Sequence, residues 1–255
     1  MEFKTIKIQL GESVAWVNLD RPEVRNALNP EMIHELTEAV AWLGSRDDIR
    51  VIVLKGNGKS FCAGADLAYM KAMAGFSYEE NVADAEKLSK LFQTLYFCDK
   101  AIVTVVHGAC IGGANGIVAA SDIVIAEERT KFAFSEVRLG ITPATISPFV
   151  VQKIGLTAAK ELMLTGRRFS AEEAKAFRLV NVVVDEAGLV DMERQYLDHF
   201  MQASPEAVAE CKRLLRLVDG SDDPMRPLYR QTSVIIANQR VSKAGQEGME
   251  KFFKS

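Results

Sequence analysis

Two glycine-bearing turns and one carboxylate are the groups in this chain best able to do chemistry together. The run Val105-Val106-His107-Gly108-Ala109-Cys110-Ile111-Gly112-Gly113-Ala114-Asn115-Gly116 follows a β-type segment at 102–106 and leads into an apolar one at 117–120. A strand that ends at Gly-Gly and turns into a helix presents bare backbone N–H groups at the positive end of the helix dipole, which suits an oxyanion. Ser60-Phe61-Cys62-Ala63-Gly64-Ala65-Asp66-Leu67 repeats the arrangement after a strand at 51–55. Such turns are also ordinary packing in α/β proteins. Two of them, each giving one donor, would make an oxyanion hole for an enolate or a tetrahedral intermediate.

The carboxylate is Glu136, inside the apolar run Phe132-Ala133-Phe134-Ser135-Glu136-Val137-Arg138-Leu139-Gly140. A glutamate there is exposed at a turn, an ion-pair partner of Arg138, or a buried acid with a raised pKa, and the residues alone leave all three open. The stretch at 141–151 is apolar, with Pro143 and Pro148, and can wall a pocket beside that acid.

The whole chain bounds what such a site can serve. Its 255 residues hold one large domain, or a core with a small appendage. Hydrophobic residues make up 48% and charged residues 25%, as in ordinary globular proteins. A net charge of −3 with scattered basic residues offers no field for nucleic acid. Cys62, Cys98, Cys110 and Cys211 have no CxxC spacing and read as reduced thiols. His34, His107 and His199 are isolated, with no Ser/His/Asp or HExxH arrangement, so neither a metal nor a histidine-activated nucleophile is expected. No leader sequence is expected, and no apolar run approaches the roughly 18 residues of a membrane span, so a cytoplasmic protein is expected.

The elements that must position these groups follow from the pattern. A hairpin of strands at 4–10 and 13–19 is predicted around Gly11-Glu12. Asn29 as N-cap, with Pro30 at the first helical position, opens a helix to about residue 43. A strand at 51–55, a helix after Asp66, a long helix at 78–97, a strand at 101–106, a short helix after Gly112-Gly113 and a strand at 123–126 follow. Strands alternating with helices at crossover lengths imply a right-handed βαβ array. Beyond about residue 190 the expected helices are at 192–203, 205–218 and 228–240, with a loop at 219–227 and a short tail at 245–253. The expected organisation is an α/β core at 1–190 and a helical appendage at 191–255.

Arg25-Asn26-Ala27-Leu28, Phe61 through Leu67, Gly112-Gly113, Asp122-Ile123, Phe134-Ser135-Glu136, Glu173-Ala174 with Leu179-Val180, and Glu247-Gly248 occur in an order that resembles the crotonase, or enoyl-CoA hydratase/isomerase, superfamily. The resemblance covers nearly the whole chain. It implies an α/β crotonase fold, in which repeated ββα turns form a spiral core carrying an acyl-CoA site. It also implies a C-terminal helical trimerisation or lid region and assembly as a homotrimer or a dimer of trimers. Coenzyme A is then part of the substrate, with no cofactor and no metal. Ala65 and Gly113 match the family's oxyanion-hole amides and Glu136 its acid–base glutamate. Arg25, Ala27, Ala63, Asp66 and Leu67 fall on its CoA-binding segments.

One position departs from that pattern. Two-acid hydratases of the family carry a glutamate where this chain has Gly116, so either hydration is lost or Glu136 works alone. The space at Gly116 is then expected to take a branched β-carbon or a water. The family's Δ3,Δ2-enoyl-CoA isomerases use one glutamate matching Glu136. Its chlorobenzoyl-CoA dehalogenases need an aspartate at the position of Ala144, which excludes them. The segments at 112–116, 135–140 and 143–150, with Ala68-Tyr69-Met70-Lys71 and Tyr78-Glu79-Glu80-Asn81, resemble bacterial methylglutaconyl-CoA hydratases. That likeness implies hydration of 3-methylglutaconyl-CoA or a similar branched glutaconyl-CoA. The alternatives are an isomerase or a CoA-ester-binding member without activity. A substrate with a distal carboxylate calls for a cation, for which Lys71 and Arg138 are the candidates. Tyr229 is a further pocket candidate, reaching the site of a neighbouring subunit.

Overall fold

The structure, a computed structural model, describes residues 3–254. Strands β1 (Ile6–Leu10) and β2 (Val14–Leu19) form the antiparallel hairpin around Gly11-Glu12, with Ile6 opposite Leu19. Helix α1 (Pro30–Gly44) starts at Asn29, whose side chain accepts the Met32 N–H at 2.9 Å, and Pro30 needs no such partner. Strand β3 (Val51–Gly56) pairs in parallel with β2. After α2 (Leu67–Met73), a reciprocal Ser77–Glu80 capping box opens the long α3 (Tyr78–Tyr96). Strand β4 (Ala101–Val106) is buried at every residue, as a central parallel strand covered on both faces must be.

From β4 the chain moves between two sheets. Strand β5 (Ala109–Ile111) starts a small sheet, α4 (Ala114–Ala120) follows, and β6 (Ile123–Glu127) returns beside β4. Strand β7 (Lys131–Ala133) again joins the small sheet, followed by a 3-10 turn at Ser135–Leu139 and α5 (Ser147–Thr165). Then come β8 (Arg168–Ser170), α6 (Ala171–Ala176) and β9 (Val182–Val184). The large sheet has the order β1-β2-β3-β4-β6-β9 and the small one β5-β7-β8. Each pass of long strand, short strand and helix lies against the one before it. This repetition is the ββα spiral.

Helices α7 (Leu189–Gln202), α8 (Pro205–Asp219), α9 (Pro227–Val241) and α10 (Lys243–Lys254) complete the chain. Three features differ from the sequence expectation. The 245–253 tail is helical: Gly245 and Gly248 weaken its helix signal, yet Gly245 lets α10 fold close to the end of α9 and Gly248 lets it press on the 3-10 turn. A Cβ on Gly248 would fall 2.3 Å from the Leu139 carbonyl oxygen. The apolar stretch after Ile146 is a full helix, interrupted at Gly155 by a φ of +76°. Finally, α7 is no appendage, because Met192, Tyr196, Leu197 and Phe200 pack under Val51, Val53, Val103 and Val105 and cover one sheet face. The Trp16 indole N–H donates to Glu193 Oε1 at 2.7 Å across that layer. On the other face Leu36, Leu43, Leu91, Phe92 and Leu95 of α1 and α3 join the main core. Each fully buried side chain of this size contributes roughly 1.5–3 kcal/mol relative to exposure. No helix among the described residues is long and apolar enough to cross a membrane.

Candidate active site

The two glycine turns meet at the ends of β3 and β5. The Phe61 and Cys62 N–H groups donate to the His107 and Ala109 carbonyls at 2.8 and 3.0 Å, laying the first turn along the second. Gly64 has a φ of +96°, and a Cβ there would sit 2.9 Å from the Ile111 carbonyl oxygen, so only glycine permits this approach. The Leu28 N–H donates to Gly64 O at 2.7 Å, and the Asp66 N–H donates to Leu28 O at 2.9 Å. The N–H groups of Ala63, Asp66 and Gly112 are therefore spent inside the protein, Gly112 donating to Ala133 O at 2.8 Å. Among the described residues no acceptor takes up the N–H of Ala65 or of Gly113.

Side chains fix these turns. Asp66 Oδ1 accepts the Ala68 and Tyr69 N–H groups at 2.9 and 3.2 Å and caps α2, while Oδ2 holds Arg21 at 2.8 Å. Arg21 also donates to the Ala27 carbonyl at 2.7 Å. Arg25 and Asn26 are both left-handed, with φ of 52° and 55°. Asn26 is fully buried and holds that kink by donating to the Asn57 and Ser60 carbonyls at 2.8 and 2.9 Å. Asn115 plays the same part behind Gly112, donating to the Ala133 carbonyl at 2.9 Å. Sequence reading missed Arg21 and Asn115, because their partners lie in other elements.

Glu136 stands on the 3-10 turn after Phe134, a residue anchored by stacking on Phe169 at 5.8 Å. A Cβ on Gly112 would lie 3.3 Å from Glu136 Oε1, so the carboxyl abuts the second glycine turn. Its other oxygen, Oε2, is shut off from solvent and has no hydrogen-bond partner in the protein. Burial pushes this carboxyl up to about 7, which leaves it able to take and give a proton near neutrality. Of the three roles open to this glutamate, the structure supports the buried acid.

A cavity of about 1120 Å³ runs past these groups, lined by Ala65, Gly113 and Glu136. Arg25, Ala27, Ala63, Asp66, Leu67 and Arg138 line it as well. Three expected residues do not. Lys71 is exposed with its Nζ 5.3 Å from the centre of the Phe253 ring, while Met70 and Met73, on either side of it in α2, are buried against the cavity. Gly116 is buried under α3 and leaves no space: a Cβ there would meet Phe92 Cζ at 2.5 Å and Ile146 Cγ2 at 2.7 Å. Tyr229 is a core residue, 6% exposed, stacked on Phe149 at 5.5 Å. The lining also includes groups the sequence did not single out: Tyr69, Asp84, Thr142 and Arg240. Asp84 accepts from Arg240 Nη1 at 2.7 Å, between residues 156 apart in sequence.

Two unspent N–H groups beside a buried carboxyl on a ββα spiral make a site able to hold an oxyanion and move a proton. The chain matches the enoyl-CoA hydratase/isomerase family over residues 9–254, and it belongs to that family, the crotonase superfamily. A solved enoyl-CoA hydratase from Shewanella pealeana superposes with a TM-score of 0.84 at 37% identity, covering 99% of this chain and 94% of that one. The (E)-benzylidenesuccinyl-CoA hydratase of Thauera aromatica is 30% identical over 252 residues, 97% of this chain and 95% of that protein. The short-chain-enoyl-CoA hydratase of Clostridium acetobutylicum is 30% identical over 221 residues, 84% of this chain and 82% of its own. Enoyl-CoA hydratase-type activity is thereby supported.

Proposed function

We propose that this protein hydrates a branched 2-enoyl-CoA, 3-methylglutaconyl-CoA or a similar glutaconyl-CoA, with Glu136 as its one acid–base residue. The observation that carries the reading is the buried Glu136 carboxyl, its Oε2 without a partner, against the Gly112-Gly113 turn. As a carboxylate, Glu136 takes a proton from water while the water oxygen bonds to the β-carbon. The double-bond electrons move onto the thioester oxygen, and the Ala65 and Gly113 N–H groups hold the enolate. Glu136 then gives its proton to the α-carbon on the same face, so one water is added and the carboxylate is restored. Asp66 is tied to Arg21 and Asp84 to Arg240, which leaves Glu136 as the buried carboxyl of the cavity free to do this.

Arg25, Ala27, Ala63, Asp66 and Leu67, all on the cavity lining, are the residues offered to coenzyme A, with Arg25 contributing its charge. The reading includes a cytoplasmic homotrimer or dimer of trimers and needs no cofactor, since coenzyme A arrives with the substrate. The division into a spiral core to residue 190 and a helical oligomerisation and lid region from 191 belongs to the same reading, with α7 covering the sheet and the later helices left for those two roles. A relative named for benzylidenesuccinyl-CoA is compatible with an acyl group larger than crotonyl. A single carboxyl equally suits a Δ3,Δ2-enoyl-CoA isomerase, which needs only one proton shuttled. Incubation with crotonyl-CoA, 3-methylglutaconyl-CoA and a 3-enoyl-CoA, read by product mass, separates the two. Hydration adds the mass of one water, and isomerisation without any such gain overturns the hydratase reading.

A further inference from the structure

The cavity holds a second polar group remote in sequence from the glycine turns. Arg240, at the end of α9, is 7% exposed and donates through Nη1 to Asp84 of α3 at 2.7 Å. Its Nε is buried and has no partner in the protein. The Tyr69 hydroxyl and Thr142 Oγ1 are likewise buried without partners, and all four residues line the one cavity. The α9–α10 elbow that carries Arg240 rests on the segment just after Glu136. A Cβ on Gly140 would fall 2.3 Å from the Ala244 carbonyl oxygen, and one on Gly245 would lie 3.4 Å from Ile141 Cγ2.

Three buried donors without acceptors are costly beside a hydrocarbon chain, because each stays dry and unpaired. An oxygen-bearing, negatively charged group in the cavity they share is the kind of ligand that suits donors of this sort. Asp84 occupies one side of the guanidinium and fixes its plane, leaving Nε for a second carboxylate in the fork geometry that arginine favours. We propose that Arg240, oriented by Asp84 and joined by the Tyr69 and Thr142 hydroxyls, anchors a carboxylate at the far end of the acyl chain. The proposal rests on the acyl-CoA reading of the cavity. It gives the distal carboxylate a buried cation, where Lys71 points away and Arg138 is exposed.

Binding of glutaryl-CoA and butyryl-CoA, both saturated and so not hydrated, tests this by calorimetry on the full chain. Wild-type protein is expected to bind glutaryl-CoA about tenfold or more tightly than butyryl-CoA. In the Asp84→Asn/Arg240→Met double variant the ratio of affinities falls to about one, and Arg240→Lys retains part of it. Tyr69→Phe and Thr142→Val, which remove only a hydroxyl, each reduce the ratio and keep the test open if the double variant does not fold. Equal wild-type affinities, or an undiminished ratio in the hydroxyl variants, overturn the anchor. Absence of binding by either thioester overturns the acyl-CoA reading with it. A preference for glutaryl-CoA without hydration of any enoyl-CoA upholds the anchor and rejects the hydratase.

Discussion

A carboxyl titrating near 7 in the fold and near 4.5 once unfolded gives Glu136 two measurable signatures. Working as a base, it must be ionised at the start, so kcat/KM rises with pH through about 7. Glu136→Gln lowers kcat by about 10²- to 10⁴-fold, the usual contribution of a positioned acid–base group. The second signature is in stability. Between pH 4.5 and 7 the folded state keeps a proton that the unfolded chain has released, so stability falls as pH rises across that window, by about 3 kcal/mol in all. Glu136→Gln removes this dependence. Calorimetric melting should find the variant several degrees more stable than wild type at pH 8 and no more stable at pH 4. At Gly116 the added methyl of Gly116→Ala strikes the Phe92 ring, and urea unfolding should show a loss of about 1–3 kcal/mol. Glu136 was legible in the sequence as a lone acid in an apolar run, although its burial was not. The crowding of Gly116 was illegible, since it depends on where α3 lays Phe92.

Among the elements, α2 depends most on one side chain. Asp66 both caps it and holds Arg21, so Asp66→Ala should cost about 2 kcal/mol in denaturant unfolding. The same change loosens the turn that presents the Ala65 N–H, so kcat should fall together with stability. Asp66→Asn keeps a capping oxygen and should cost less on both measures. The start of α1, the β1–β2 hairpin and the run of parallel strands could be read in advance, because caps and apolar patterns are local. Helix α10 and the length of α5 could not. Glycines at 155, 245 and 248 interrupt the helical signal; the chain stays non-helical at Gly155 and resumes the helix after it, while close tertiary contact accompanies the helix at Gly245 and Gly248.

For the whole molecule, the residue pattern implied a right-handed βαβ array and the family resemblance a spiral, but neither showed that α7 covers the second face of the sheet, because its pattern does not say which surface it will cover. Helix α8 leaves Leu214, Leu217 and Val218 exposed at 56%, 67% and 76%, more apolar surface than a lone helix face needs. If the proposed trimer uses this face, Leu217→Glu with Val218→Glu should shift the protein to a smaller species in sedimentation, and an unchanged mass would rule this face out. The groups assigned to the reaction lie between residues 65 and 136, whereas the elbow that closes the cavity comes from the last 30 or so residues of the chain. Of the proposed anchor only Arg240 belongs to that elbow, while Tyr69, Asp84 and Thr142 lie within or just after the segments that also carry the reaction. A lineage that exchanges only its final two helices therefore carries over one anchor residue of four, and a new diet of acyl groups calls for paired changes on both sides of the cavity.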